Sequence, residues 1–184
     1  GGAGSGRDSS ASGGGGSRSI AQWEVDEKRR VAAEQLRQQL VYDSLKVVWQ
    51  QVLDDESGTW DGVLVCDPIQ YVATVKVVGP QGADVDFGPH KLRIPAGALA
   101  SPTVITAEAP TSLQVLAKFS PHGTVFAPGR HPTLELSYKH CRNPPGHTAR
   151  IGYLGPDGRI IEWPPSQDFP DEAMVRGIIG HFSS

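Results

Sequence analysis

The chain reads as a mainly β protein, an antiparallel β-sandwich preceded by one long N-terminal α-helix and a flexible Gly/Ser-rich tail. Three observations predict this. Residues 1–18 are dominated by glycine and serine. A stretch beginning at Ser19 has helical periodicity and a good start signal. Beyond Gly62 the apolar residues change to a two-residue period broken by proline and glycine.

The tail, with GGAGSG and then SASGGGG, cannot bury enough apolar area to offset the entropy of ordering it, so residues 1–18 are expected to be a tether. The helix is expected within residues 19–57, ending near Leu53 and before Ser57–Gly58. Ser19 is its N-cap, Gln22 the capping-box partner three positions on, and Glu24–Lys28 and Asp26–Arg30 have the i,i+4 spacing of surface ion pairs. At 1.5 Å per residue it would be about 50 Å long, more than a small sandwich needs for support. From Leu36 onward, Leu40, Val41, Leu45, Val48, Trp49 and Val52 recur at three- and four-residue steps and read as one apolar stripe. The first half is mostly charged around Trp23. Such a helix can cover its own sandwich, or it can project as a helix seated in a partner's groove. Trp23, Leu36, Leu40, Leu45 and Trp49 are the partner contacts expected on the second reading.

Residues 63–184 are expected to form the sandwich. Thr133 to Tyr138 alternates polar and apolar residues, as a strand with one wet face does. Similar runs are Tyr71 to Val78, Lys91 to Ile94, Val104 to Glu108, Leu113 to Phe119, Arg150 to Leu154 and Arg159 to Trp163. Gly155–Pro156–Asp157–Gly158 is a hairpin turn between the last two, since proline presets the turn and glycine accepts positive φ.

Composition excludes several functions. The 184 residues suit one domain plus a tail. The net charge of −3 and the lack of a basic block make nucleic acid and anionic membrane surfaces poor partners. No apolar run reaches the roughly eighteen residues of a direct transmembrane span. A chain beginning at Gly1 is expected where a signal peptide or other segment has been removed, or simply at a boundary. Cys66 and Cys141 flank the strand-rich block as a staple in an exported domain would, with two buried free thiols as the alternative.

Motifs for chemistry are missing. His90, His122, His131, His140, His147 and His181 are scattered without zinc-site spacing, so no metal site is expected. His140, Cys141 and His147 flank an ordinary Pro-rich loop. With neither a Walker loop nor a GxSxG elbow, no cofactor and no catalytic residue is expected.

Several pieces of the body resemble the ZU-five-type domain, named for the zonula occludens and netrin-receptor proteins. These are the Gly79–Pro80–Gln81–Gly82 turn, the His90 to Ile94 strand, the Ile94–Pro95–Ala96–Gly97–Ala98–Leu99 corner, the Ser120–Pro121–His122–Gly123 turn with Phe126, and His181–Phe182–Ser183. They span about two thirds of the chain. The resemblance implies a β-sandwich used mainly for interaction. Secreted bacterial proteins that resemble this chain place a cysteine before the first strand and another after the strand containing Tyr138, which implies a Cys66–Cys141 bridge. Self-cleaving proteins similar to the family cut between Phe and Ser of a His-Phe-Ser motif, so Phe182–Ser183 is the bond such an activity would break. Ser183 would attack the Phe182 carbonyl.

The function expected is that of a non-enzymatic, extracytoplasmic interaction or structural protein. The partner expected is a larger membrane-associated assembly, such as a photosynthetic or respiratory complex, on which the chain docks as an accessory subunit. Two alternatives stand beside it: self-cleavage at Phe182–Ser183, and binding of carbohydrate or a surface polymer through Tyr71, Trp60, Tyr153 and Trp163.

Overall fold

A computed structural model of the chain describes residues 18–54, 59–60, 62–142 and 146–182, with the backbone alone at 59–60. The expected tether lies outside the described residues except for Arg18, and so does Ser183.

Helix α1 (Ile20–Val52) starts where the sequence predicts, with Ser19 extended and its Oγ accepting from the Gln22 N–H at 3.1 Å. The return half of the capping box does not form, because Gln22 Nε2 donates to Asp26 Oδ1 instead. Lys28 and Glu24 pair at 2.9 Å. Asp26 pairs with Arg18 rather than with Arg30, which reaches to the body of the protein.

Twelve strands follow among the described residues: β1 (Thr59–Trp60), β2 (Val63–Leu64), β3 (Val72–Val78), β4 (Ala83–Phe87), β5 (His90–Ile94), β6 (Thr103–Ala109), β7 (Lys118–Ser120), β8 (Thr133–Ser137), β9 (Tyr153–Leu154), β10 (Ile160–Glu162), β11 (Ser166–Phe169) and β12 (Met174–Ile178). Every pairing is antiparallel. One sheet has the order β11-β12-β8-β5-β4 and the other β3-β6-β7, with β1–β2 and β9–β10 as separate two-stranded ladders. Val85, Phe87, Leu92, Leu134 and Val175 of the first sheet share one core with Val78, Ile105, Ala107 and Ala109 of the second. That is sandwich packing, each strand giving alternate residues to the shared interior.

Strand β6 explains the third layer. Its residues Val104 to Ala109 are all buried, so neither face is wet. Ile105, Ala107 and Ala109 belong to the sandwich core. The alternate residues Val104, Thr106 and Glu108 point the other way, and α1 bonds to Thr106 and Glu108 there. The protein is therefore a helix laid on a three-stranded sheet that is itself packed on a five-stranded one.

Two predicted strands are shorter than expected because side chains take their backbone partners. Just ahead of the Leu113 to Phe119 run the Thr111 N–H donates to Gln38 of the helix, and within it the Gln114 N–H donates to Ser112 Oγ, leaving only β7 in a ladder. In the Arg150 to Leu154 run, the Ala149 and Ile151 N–H groups donate to Asp168 and Ser166 side chains. Strands β1, β2, β4, β11 and β12 are additions to the sequence reading. Strand β12 contains Gly177, where a Cβ would lie 2.7 Å from Ile151 Cδ1 and 3.2 Å from the Pro165 carbonyl oxygen.

Two of the singled-out motif pieces turn out to touch. Gly82 has φ +76°, and a Cβ there would lie 2.4 Å from the Ile94 carbonyl oxygen and 2.7 Å from the Ala96 nitrogen. Only glycine fits. The Gly97 N–H donates to the Pro80 carbonyl at 2.7 Å, so turn and corner form one unit closing the β4–β5 hairpin.

Candidate functional site

The five expected partner contacts fall on different faces of α1. Trp49 is only 7% exposed and packs with Val65 and Leu113, and Leu45 is half-buried in the same cluster. Leu36 and Leu40 are 77% and 73% exposed. The single stripe expected from Leu36 to Val52 is thereby corrected to two. Leu36 and Leu45 are nine residues apart, as are Leu40 and Trp49, and nine residues make about two and a half turns, which puts each pair on opposite sides. Val47, eleven residues from Leu36 and about three turns on, extends the outer ridge and is also exposed. Trp23 is exposed, with the Arg18 guanidinium 5.7 Å from its ring centroid.

The inner face of the helix is held largely by polar contacts. Arg30 donates through two nitrogens to both carboxylate oxygens of Glu108, at 3.2 and 3.1 Å, and also to Glu27. Tyr71 Oη donates to Glu108 Oε1 at 2.5 Å, and Thr106 Oγ1 to Glu27 Oε2 at 2.6 Å. The two carboxylates bracket Arg30, and hydrogen bonds to Glu27 and Glu108 hold its guanidinium above its ordinary pKa. Burial alone would raise the Glu27 carboxyl, but hydrogen bonds from Arg30 and Thr106 outweigh it and hold it below the usual range. Burial, then the bond to Glu108, pushes the Tyr71 phenol up.

At the other end of the helix stands the disulfide. Cys66 and Cys141 are bonded, with Cα atoms 3.8 Å apart and a sequence separation of 75. They form an isolated antiparallel bridge flanked by bonds from the Asp67 N–H to His140 and from the Arg142 N–H to Val65. Lys46 pairs with Asp67, and the Arg142 guanidinium donates to the Val52 carbonyl, so the end of α1 is tied to both sides of the bridge. Cys66, His140 and Cys141 bring ligand-type atoms within 4.8 Å of one another. With both sulfurs in the disulfide, that group offers a cation no thiolate. Burial keeps the His140 imidazole below its ordinary pKa, against the pull of Asp67.

The last described residues, His181 and Phe182, pack against the sandwich. Phe182 is buried, stacks on Phe119 and meets Phe126 edge-on. It sits beside the isolated Val125–His181 bridge rather than in a strand. The Phe182 N–H donates to Thr124, and its carbonyl accepts from the Gly123 N–H at 3.3 Å. His181 stacks on Tyr153, with its Nε2 3.4 Å from Glu162 Oε2.

A cleft of about 930 Å³ opens beside the β9–β10 hairpin, walled by Leu134 and Leu136 of β8, Val175 of β12, and Ile151, Phe119 and Ile160. His147 Nδ1, on its wall, is buried without a hydrogen-bond partner. The sequence reading dismissed this histidine as part of a loop, and spacing alone could not have placed it against the core.

Among the described residues the aromatics expected for a glycan platform do not form one exposed face. Tyr71 is buried under the helix, Tyr153 is engaged with His181, and Trp163 lies under the Arg150 guanidinium at 4.0 Å. The Trp60 side chain is outside the described residues. Among the described residues no helix is long and apolar enough to cross a membrane. Comparisons of the chain with family models, with curated proteins and with solved structures gave no significant match.

Proposed function

We propose that the protein acts by contact rather than catalysis, as an extracytoplasmic accessory subunit whose docking element is the outer ridge of α1. The observation that carries this reading is the opposition of Leu36, Leu40 and Val47 to the face that holds the helix on its own body. A helix needed only as a cover would carry polar residues there. The partner is a larger assembly offering an apolar groove, and a membrane-associated complex fits a chain that carries a disulfide and no spanning helix of its own. The body is proposed as a ZU-five-type sandwich, supported by the contact between the glycine turn and the proline–glycine corner that carry the resemblance.

Co-purification of the native chain in mild detergent, beside a Leu36→Ser/Leu40→Ser variant, tests this. Fixed-stoichiometry recovery with a membrane complex, lost in the variant, is the expected result. Equal recovery of both proteins without partners overturns it.

A second reading is favoured by one hydrogen bond. The Gly123 N–H donor polarises the Phe182 carbonyl, the group that self-cleavage at Phe182–Ser183 would attack. Intact mass settles it: a product ending at Phe182 that disappears in Ser183→Ala supports cleavage, and a single full-length mass removes it.

A further inference from the structure

We infer that the cleft beside the β9–β10 hairpin is a binding site for a single-chain amphiphile with an anionic head, a long-chain carboxylate. Protein interiors pack to the density of organic crystals and leave few voids larger than a water molecule. A recess of about 930 Å³ walled by Leu134, Leu136, Val175 and Ile151 departs far from that density. It is at the upper end of the roughly 300–1,000 Å³ typical of small-molecule sites. Aliphatic walls do not hold water well, so the occupant is apolar along most of its length.

The apolar surface also continues outside. Leu154, Ile161 and Trp163, on or beside the hairpin, line the cleft yet remain exposed, so an apolar strip runs from the interior to the rim. That continuity fits an extended chain better than a compact ring.

Two polar groups select the head. The Arg150 guanidinium lies over Trp163, 4.0 Å from the ring centroid, and pairs with no carboxylate among the described residues. A planar guanidinium fixed in this way presents paired donors that match a carboxylate. His147, three residues earlier on the same lining, has its orphaned Nδ1 buried in the wall. A buried polar atom without a partner is costly unless a ligand completes it. The acid on this rim, Glu162, is engaged by His181.

The test uses the oxidised full chain and a fluorescent polyene fatty acid, displaced by hexadecanoate or by hexadecanol. One saturable site is expected, with hexadecanoate displacing the probe more strongly than hexadecanol. Arg150→Glu should weaken hexadecanoate at least tenfold and leave hexadecanol unchanged. His147→Phe should weaken hexadecanoate while raising the melting temperature of the unliganded chain, because it removes the unpaired nitrogen. Leu136→Trp, which fills the cleft, should abolish both ligands with unchanged circular dichroism. If that variant fails to fold, Arg150→Glu on the exposed rim still decides the matter. Lack of saturable binding to the wild-type chain overturns the site. Equal displacement by acid and alcohol, unaffected by Arg150→Glu, overturns the anionic head.

Discussion

The two faces of β6 are covered by different means. Toward the sandwich it presents Ile105, Ala107 and Ala109 to an apolar core; toward α1 it presents Thr106 and Glu108 to Glu27, Arg30 and Tyr71. Apolar burial is non-directional, and its stabilisation grows with area. The polar side works through matched donors and acceptors, so it fixes the register of the helix on the sheet but leaves costly orphans when one member is lost. The sandwich is thus built to tolerate small shifts, and the helix is built to sit in one place.

The largest break in this comparison is on the apolar side. Ile105→Ala should cost about 4 kcal/mol of global stability, the transfer loss plus the cavity left behind, measured by urea unfolding. Glu108→Ala should cost about 3 kcal/mol, because Arg30 and the Tyr71 hydroxyl lose their acceptor at a nearly buried site. Its signature is local: limited proteolysis should cut within α1 while the sandwich survives, and simultaneous loss of both would refute the division.

Acid should separate the two layers. Burial, then the nearby His140, holds the His90 imidazole at about 4, below its ordinary 6.5. The unfolded chain therefore takes up the proton first as pH falls. Global stability should drop by up to about 3 kcal/mol between pH 6.5 and 4, and no contribution from this group should appear above 6.5. His90→Gln, which keeps an acceptor for the Ser137 N–H without titrating, should flatten that slope in pH-dependent denaturation. The Glu27 carboxyl is held below its ordinary 4.5, so its contribution to holding the helix is lost only as pH falls below that value.

Thr106→Val should cost about 1 kcal/mol, the net value of one hydroxyl donor to Glu27. Smallest of all, Leu36→Ser should change stability by less than about 0.5 kcal/mol, since its side chain touches solvent. A loss of 2 kcal/mol or more in either variant would mean that the layers are more interdependent than their contacts suggest.

Much of this fold was legible, and the gaps have physical causes. Ser19 as cap and the Gly155–Gly158 turn are local signals that operate as read, the Gly158 N–H closing the turn on Gly155 at 3.0 Å, and the strand at Thr133–Ser137 forms, although its outer face is half-buried rather than wet. The bridge that the family likeness implied, Cys66 to Cys141, is formed. The helix stripe was misread because the pattern contains a one-residue step, Leu40 to Val41, that turns it about 100° around the axis, so adjacency in the pattern did not mean a shared face. Glu108 and Thr106 looked like the wet side of a strand, and only tertiary packing reveals that a charged helix covers them. Strand β12 hid behind Gly177, a residue disfavoured in strands, whose lack of a side chain is what lets Ile151 approach. The cleft was invisible from sequence because its walls are ordinary core residues from separate strands. Nothing in a linear pattern says that they fail to meet.

The tie at the base of the helix also sets how the molecule would respond to mechanical load. A pull on the N-terminus first shears α1 off the sheet, then arrives at Cys66 and crosses directly to Cys141, bypassing the chain between them, a sequence separation of 75. At roughly 3.5 Å per extended residue, some 260 Å of contour stays locked while the bond is intact. Reduction would add that length to the extension in a single-molecule pulling trace.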